Sequence, residues 1–96
     1  MIRNVVVGRL REGADPAALQ TALDAIAALD PPGLVALVIG RDLALREESW
    51  DFAITSDFVD AEAYRTYDLE AEHNRVRREL FGPICDQIVR VQVDHP

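Results

Sequence analysis

Apolar and polar residues alternate loosely from Ile2 to Arg11, and valine fills several of the positions, which predicts a β-strand. The run E-G-A-D-P interrupts it. Asp15 suits a helix N-cap, and Pro16 suits the first helical position, where the missing N–H would be unpaired anyway. Leu19, Ala22, Leu23, Ile26, Ala27 and Leu29 then recur at helical spacing and predict one apolar stripe. Asp30-Pro31-Pro32-Gly33 stops that helix. Leu34 to Asp42 is apolar at nearly every position, which predicts a second strand covered on both faces. After the polar connection R-D-L-A-L-R-E-E-S, a third strand is predicted from Trp50 to Phe58. Its alternation puts Trp50, Phe52, Ile54, Ser56 and Phe58 on one face and Asp51, Ala53, Thr55 and Asp57 on the other. Asp60 predicts the cap of a short helix carrying Ala63, Tyr64 and Tyr67. A longer helix is predicted from about Glu70 to Phe81, with His73, Val76, Arg77, Leu80 and Phe81 on one side, and Gly82-Pro83 ends it. A last strand from about Cys85 to Val93 places Val89, Val91 and Val93 on one face and Ile88, Arg90 and Gln92 on the other.

The order is β-α-β-β-α-β in a single domain over residues 1–96. This is the ferredoxin-like α+β arrangement, a four-stranded antiparallel sheet with helices packed on one face. The other face needs water or a partner. Val5 and Val7 lie opposite in phase to Val6, Gly8 and Leu10, and the last strand adds its valine row. Such a face predicts a homodimer formed by packing sheet against sheet, rather than a mildly apolar surface left in water.

Charge narrows the partners. Seventeen acids against ten bases give the 96 residues a net charge of −7, which disfavours nucleic acid and anionic membrane surfaces. No run approaches the ~20 apolar residues of a bilayer span. Cys85 is the sole cysteine, and the start M-I-R-N-V-V-V-G-R-L carries no leader-peptide pattern, so a reducing, cytoplasmic setting is expected. There is no glycine-rich phosphate loop, and no cofactor or metal is predicted. Asp94 and His95 at the chain end are read as solvated rather than as metal ligands, Glu47-Glu48 as a solvated pair, and Cys85 as core. Glu70 and Glu72 suit the positive end of a helix dipole.

The chemistry concentrates in T-Y-D-L-E-A-E-H-N-R-V, Thr66 to Val76. His73 is in phase with Val76, Leu80 and Phe81, so its ring is expected to face the sheet. One reading is structural, a ring bonded to a nearby carbonyl. The other is functional: a neutral imidazole acts as base while the Tyr67 hydroxyl stabilises a developing enolate. Asn4, on the helix-facing side with Val6, can then orient a ligand oxygen. Trp50, Phe52, Leu80 and Phe81 supply apolar walls that exclude water. Arg3 and Arg9 have the opposite parity and are expected outside the cavity.

The whole pattern resembles the stress-responsive A/B barrel (Dabb) domains, members of the dimeric α/β-barrel proteins. The resemblance runs through I-R-N-V-V-V-G-R-L-R-E-G, P-G-L-V-A-L-V-I-G-R-D-L, W-D-F-A-I-T-S-D-F-V-D-A-E-A-Y-R-T-Y, H-N-R-V…G-P-I-C-D and the valine-rich end. It implies a homodimer with a cavity between each sheet and its helices. Most such domains have no assigned reaction; a few are cofactor-free polyketide cyclases. In those, a tyrosine and a histidine six residues later line the cavity, positions that match Tyr67 and His73. A further histidine from the first strand is replaced here by Asn4, and the frequent H-P-x-H reads Glu70-Ala71-Glu72-His73. An asparagine only donates and accepts hydrogen bonds, whereas a histidine exchanges protons near neutrality.

Three functions are therefore carried forward. The first is a domain binding a small, partly apolar ligand. The second is a cofactor-free acid–base enzyme such as a polyketide cyclase, using His73 and Tyr67. The third is a structural oligomer with a filled interior. A cavity of ~300 Å³ or more beside His73 and Tyr67 favours the first two.

Overall fold

The computed structural model describes residues 1–96. The elements are β1 (Ile2–Leu10), α1 (Pro16–Ala27), β2 (Leu34–Arg41), β3 (Phe52–Phe58), α2 (Ala61–Leu69), α3 (Ala71–Val76) and β4 (Cys85–Asp94); a π-helical turn, Arg77–Phe81, follows α3 directly. The four strands form one antiparallel sheet in the order β2-β3-β1-β4. The fold is ferredoxin-like α+β.

Local chemistry accounts for the boundaries. Asp15 Oδ1 accepts from the Ala17 N–H at 2.9 Å, with Pro16 in the first turn, so α1 starts where its orphan donors are satisfied. Asp60 caps α2 in the same way through the Ala63 N–H, at 2.8 Å. Leu19, Ala22, Leu23 and Ile26 of α1 pack with Phe52, Ile54, Val76 and Phe81 as the core. The Phe52 ring lies directly over Gly8, where an added Cβ would stand 2.1 Å from Phe52 Cζ. Only glycine lets the aromatic ring approach β1 this closely.

The cross-strand register sorts side chains into two faces. Gln92, Asn4, Ser56 and Leu37 form one inward row; Arg90, Val6, Ile54 and Ile39 form the next. On the outward face, Val91, Val5, Thr55 and Val38 align, beside Val89, Val7 and Ala53. Val38 is 66% exposed and Val89, Val91 and Val93 are also exposed. Within one chain β2 is thus covered on its inner face alone, by the contacts of Leu37 and Ile39 with the core.

The structure corrects three local expectations. The predicted helix from Glu70 to Phe81 is broken: Glu70 is extended (ψ 135°) and serves as N-cap of α3, and the helix closes with a π turn. That turn, with the Gly82 N–H donating to the Arg77 carbonyl five residues back at 2.9 Å, advances the inward phase by one residue. Phe81 follows Val76 into the core, and Leu80 is displaced to its edge. His95 is half-buried rather than solvated. Its N–H donates to the Met1 carbonyl at 2.9 Å, and its Nε2 receives Arg3 Nη2 at 3.0 Å. Arg3 in turn clamps the buried Asp57 carboxylate through two bonds, of 2.8 and 3.0 Å, on the outward face.

Candidate functional site

A pocket lies between the inward sheet face and the α2–α3 segment. It is lined by Asn4 and Val6 of β1, Phe52, Ile54 and Ser56 of β3, Tyr64, Tyr67, Asp68, His73, Arg77 and Phe81 from the helical side, Ile26 of α1, and Ile88 and Arg90 of β4. Its volume is about 40 Å³, room for a few water molecules and below the size that the cavity criterion asks for.

The break at Glu70 builds the polar end. The Glu70 carboxylate accepts the N–H groups of Glu72 and His73 at 2.9 and 2.7 Å, and these bonds hold it below the usual carboxylate range. Asn74 Nδ2 donates to the carbonyls of both Asp68 and Glu70 at 2.9 Å, tying the two helices across the break. His73 is thereby fixed in the first turn of α3, with Nδ1 at 2.9 Å from the Tyr67 carbonyl. A carbonyl only accepts, so Nδ1 carries the proton and Nε2 keeps its lone pair. The ring stacks on Tyr67, centroids 3.9 Å apart and planes at 23°. Burial lowers the His73 pKa, against the opposing pull of the Tyr67 carbonyl, and the imidazole is neutral at pH 7.

Burial likewise pushes the Tyr67 phenol up to about 12, so it is a hydroxyl donor throughout the physiological range. Its ring is held against Phe58, centroids 5.1 Å apart. Asn4, 6% exposed, accepts from Gln92 Nε2 at 2.9 Å through Oδ1, which leaves Nδ2 as a donor. Neither that Nδ2, the Tyr67 hydroxyl nor His73 Nε2 has a hydrogen-bond partner in the chain. None of the three is sealed from the pocket or solvent.

Of the residues singled out from sequence, the pocket brings together Asn4, Val6, Phe52, Tyr67, His73 and Phe81. Trp50 and Leu80 are not among its walls, a correction in both cases. Trp50 precedes the β3 ladder, which starts at Phe52; it lines a depression on the outward side with Val7, Val38, Ala53 and Thr55, and the Arg9 guanidinium lies 5.3 Å over its ring. Leu80 is turned aside by the π turn. Sequence reasoning passed over Ser56, Tyr64, Asp68, Arg77 and Arg90 as wall residues. The signal for Ser56 and Arg90 was their inward parity with Asn4 and Val6 across the sheet. No group of three or more histidine, cysteine or acidic side chains is placed to hold a metal ion, and no helix is long and apolar enough to cross a membrane.

Comparison with solved structures places this geometry among ferredoxin-like proteins. A dimeric ferredoxin-like protein of unknown function from Thermobifida fusca YX superposes with a TM-score of 0.87 at 23% identity, over 98% of this chain and 90% of that one. A Dabb family protein from Mesorhizobium loti gives 0.77 at 18% identity, over 99% and 96% of the two chains. A hydroxynitrile lyase from Passiflora edulis gives 0.82 at 18% identity, over 99% and 96%. No functionally curated protein matches the chain. The sequence profile of the stress responsive A/B barrel domain matches residues 2–95, nearly the full length, and the chain belongs to that family, Dabb.

Proposed function

We propose that this chain is a homodimeric, cytoplasmic binding domain whose pocket receives a small, partly apolar molecule carrying a carbonyl or comparable oxygen. The observation that carries this reading is the fixed tautomer of His73. With Nδ1–H committed to the Tyr67 carbonyl at 2.9 Å, the Nε2 lone pair, the Tyr67 hydroxyl and Asn4 Nδ2 remain unpartnered at one pocket. All three stay open to the pocket or to solvent, so each is free to bond an oxygen or hydroxyl of an entering molecule. The enclosed space is about 40 Å³, so a ligand of more than a few atoms enters by moving the half-buried Tyr64 or the arginine side chains at the rim.

The same groups support a second reading, cofactor-free acid–base catalysis of the polyketide-cyclase kind. His73 Nε2 would take the proton from a carbon beside a carbonyl, the electrons would move to the carbonyl oxygen, and the Tyr67 hydroxyl would donate to that enolate. Cleavage of an α-hydroxynitrile, the activity named for the Passiflora edulis neighbour, needs the same kind of base. In such a cleavage a base takes the hydroxyl proton, the carbonyl forms as the carbon–carbon bond breaks, and cyanide leaves with the bonding electrons.

The dimer reading is supported by the outward valines and by neighbours that are themselves dimeric. The test of the pocket is fragment screening by NMR on the wild-type chain and on His73→Ala and Tyr67→Phe. Fragments with a carbonyl should shift the signals of Asn4, Tyr67 and His73, and both variants should weaken binding. Fragments that spare these residues, or turnover of a screened substrate that survives His73→Ala intact, would remove the binding and the catalytic reading respectively.

A further inference from the structure

The pocket does not end at its inner walls. Arg77, Ile88 and Arg90 also line an adjoining trough of about 280 Å³, whose remaining walls are Asn74, Arg78 and Gly82. The trough and the inner pocket together reach the lower end of the ~300 Å³ typical of small-molecule sites.

The trough's charge is unusual for this chain. The protein carries a net charge of −7, yet three of its ten arginines converge here and no acidic side chain is among the trough walls. Other arginines are engaged elsewhere: Arg75 bridges Glu72 and Glu79, Arg3 clamps Asp57, and Arg9 meets Asp86. Arg78 and Arg90 make no side-chain hydrogen bond or ion pair. Arg77 donates to Asn74 Oδ1 at 3.1 Å, and its distance to Asp68 is 3.7 Å. Asp68 balances Arg77 in part, whereas Arg78 and Arg90 have no counter-charge, and the excess positive charge favours an anion between them.

We infer that the site takes an anionic ligand, whose carboxylate or phosphate oxygens are held by Arg77, Arg78 and Arg90 while its apolar part reaches the inner pocket beside Tyr67 and His73. This rests on the pocket reading above. Planar guanidinium groups match paired oxygens in two-bond geometry, so the recognition favours oxyanions over simple halides. The π turn contributes directly. It carries Arg77 and Arg78 on one widened helical turn that lines the trough with Ile88 and Arg90 of β4.

The experiment is an NMR titration of the full chain with benzoate, phenyl phosphate, neutral benzamide and inorganic phosphate. Benzoate or phenyl phosphate should bind about tenfold or more tightly than benzamide, the usual scale of one charge-assisted contact. Whichever binds better identifies the head group. The anion should shift signals at Arg78 and Arg90 together with Tyr67 and His73. The double variant R78Q/R90Q should abolish the advantage of the anions over benzamide, and R65Q, on the exposed face of α2, should leave that advantage unchanged. Circular dichroism on each variant verifies folding. Equal affinity for benzamide and the anions, or an unchanged advantage in R78Q/R90Q, overturns the anion inference and leaves the pocket reading standing. Inorganic phosphate shifting the arginines while no aromatic probe moves Tyr67 or His73 overturns the pocket reading and, with it, the two-part site.

Discussion

The His73 imidazole donates its Nδ1 proton to the Tyr67 main-chain carbonyl at 2.9 Å while lying stacked on the Tyr67 phenol ring, centroids 3.9 Å apart. One residue thus sets both the tautomer and the plane of the other. The broken helix makes this possible. Had α2 run on into α3, the Tyr67 carbonyl would accept the N–H four residues later, and His73 would lie well beyond it. Glu70, extended and capping α3, folds the chain back so that six residues separate the partners in sequence and one hydrogen bond joins them in space.

The first prediction concerns pH. Burial lowers the folded-state pKa of His73 below the ordinary 6.5. The unfolded chain therefore binds the proton more readily than the folded one. The stability that this neutral ring contributes is fully present above about pH 6.5, the ordinary imidazole value, and declines as pH falls toward the lowered folded value. Binding that uses the Nε2 lone pair depends on the folded-state ring alone, so it should stay flat through neutral pH and fall only as pH drops through the lowered folded value. Carbon- or nitrogen-detected NMR of the imidazole should report the Nδ1–H tautomer at pH 7. A cationic ring at that pH would contradict the assignment.

The second prediction separates Phe81 from Leu80. Phe81 is 2% exposed, packs on Phe52 with centroids 5.6 Å apart and lines the pocket; Leu80 is half-buried at the margin of the core. Phe81→Ala should cost about 3–5 kcal/mol in chemical denaturation and enlarge the pocket. Leu80→Ala should cost roughly 1–2 kcal/mol, the transfer term for a half-buried side chain, and leave ligand binding intact. Equal costs would mean that the last turn is α-helical in solution and that Leu80 occupies the inward position.

These two residues also mark where sequence stops being informative. Caps are local: Asp15 with Pro16, and Asp60, specify helix starts from side chains two or three residues away. Parity is equally local, which made the Val89, Val91 and Val93 row legible, and with it the inward placing of Asn4 and Val6. The family likeness added the pairing of Tyr67 with His73. A π turn has no such local code, so Leu80 was expected on the inward side together with Phe81, and only Phe81 is found there. Trp50 followed the alternation of a strand that had not yet begun, because the β3 ladder starts two residues later. His95 and Arg3 meet across 92 residues of chain, and the convergence of Arg78 with Arg90 depends on how the π turn comes to lie beside β4. Such long-range placements need the assembled sheet.

The third prediction tests the outward ion pair. Asp57 is buried, and the Arg3 guanidinium that bonds it holds its carboxyl below the ordinary 3.8. For a carboxyl lowered by folding, the stabilisation is present above the unfolded value and is lost as pH falls through the folded one. Asp57→Asn should flatten the acid limb of the stability curve below about pH 4, the ordinary carboxylate range. It should also leave Arg3 without its counter-charge and destabilise the chain at neutral pH. An acid limb that is identical in wild type and variant would show that other carboxylates govern acid unfolding.

The fourth prediction addresses assembly. Val5 pairs with Val91 and Val7 with Val89 across the β1–β4 ladder, and Val38 on β2 extends the same outward face. Leu43 and Leu45 in the β2–β3 connection are 78% and 83% exposed beside it. An isolated protomer would hold this whole surface against water, at about 25 cal/mol per Å² of apolar area. Packing two sheets face to face buries it without disturbing either pocket, which lies under the helices on the opposite side. Val91→Asp sets a charge in the middle of that face, where pairing would strip it of water, while in the single chain the side chain stays exposed and the fold is unaffected. Sedimentation equilibrium should therefore find the wild type dimeric and V91D monomeric at the same micromolar concentration, with matching circular dichroism. A wild type that sediments as a monomer, or a V91D that stays dimeric, would assign the outward valines no part in assembly.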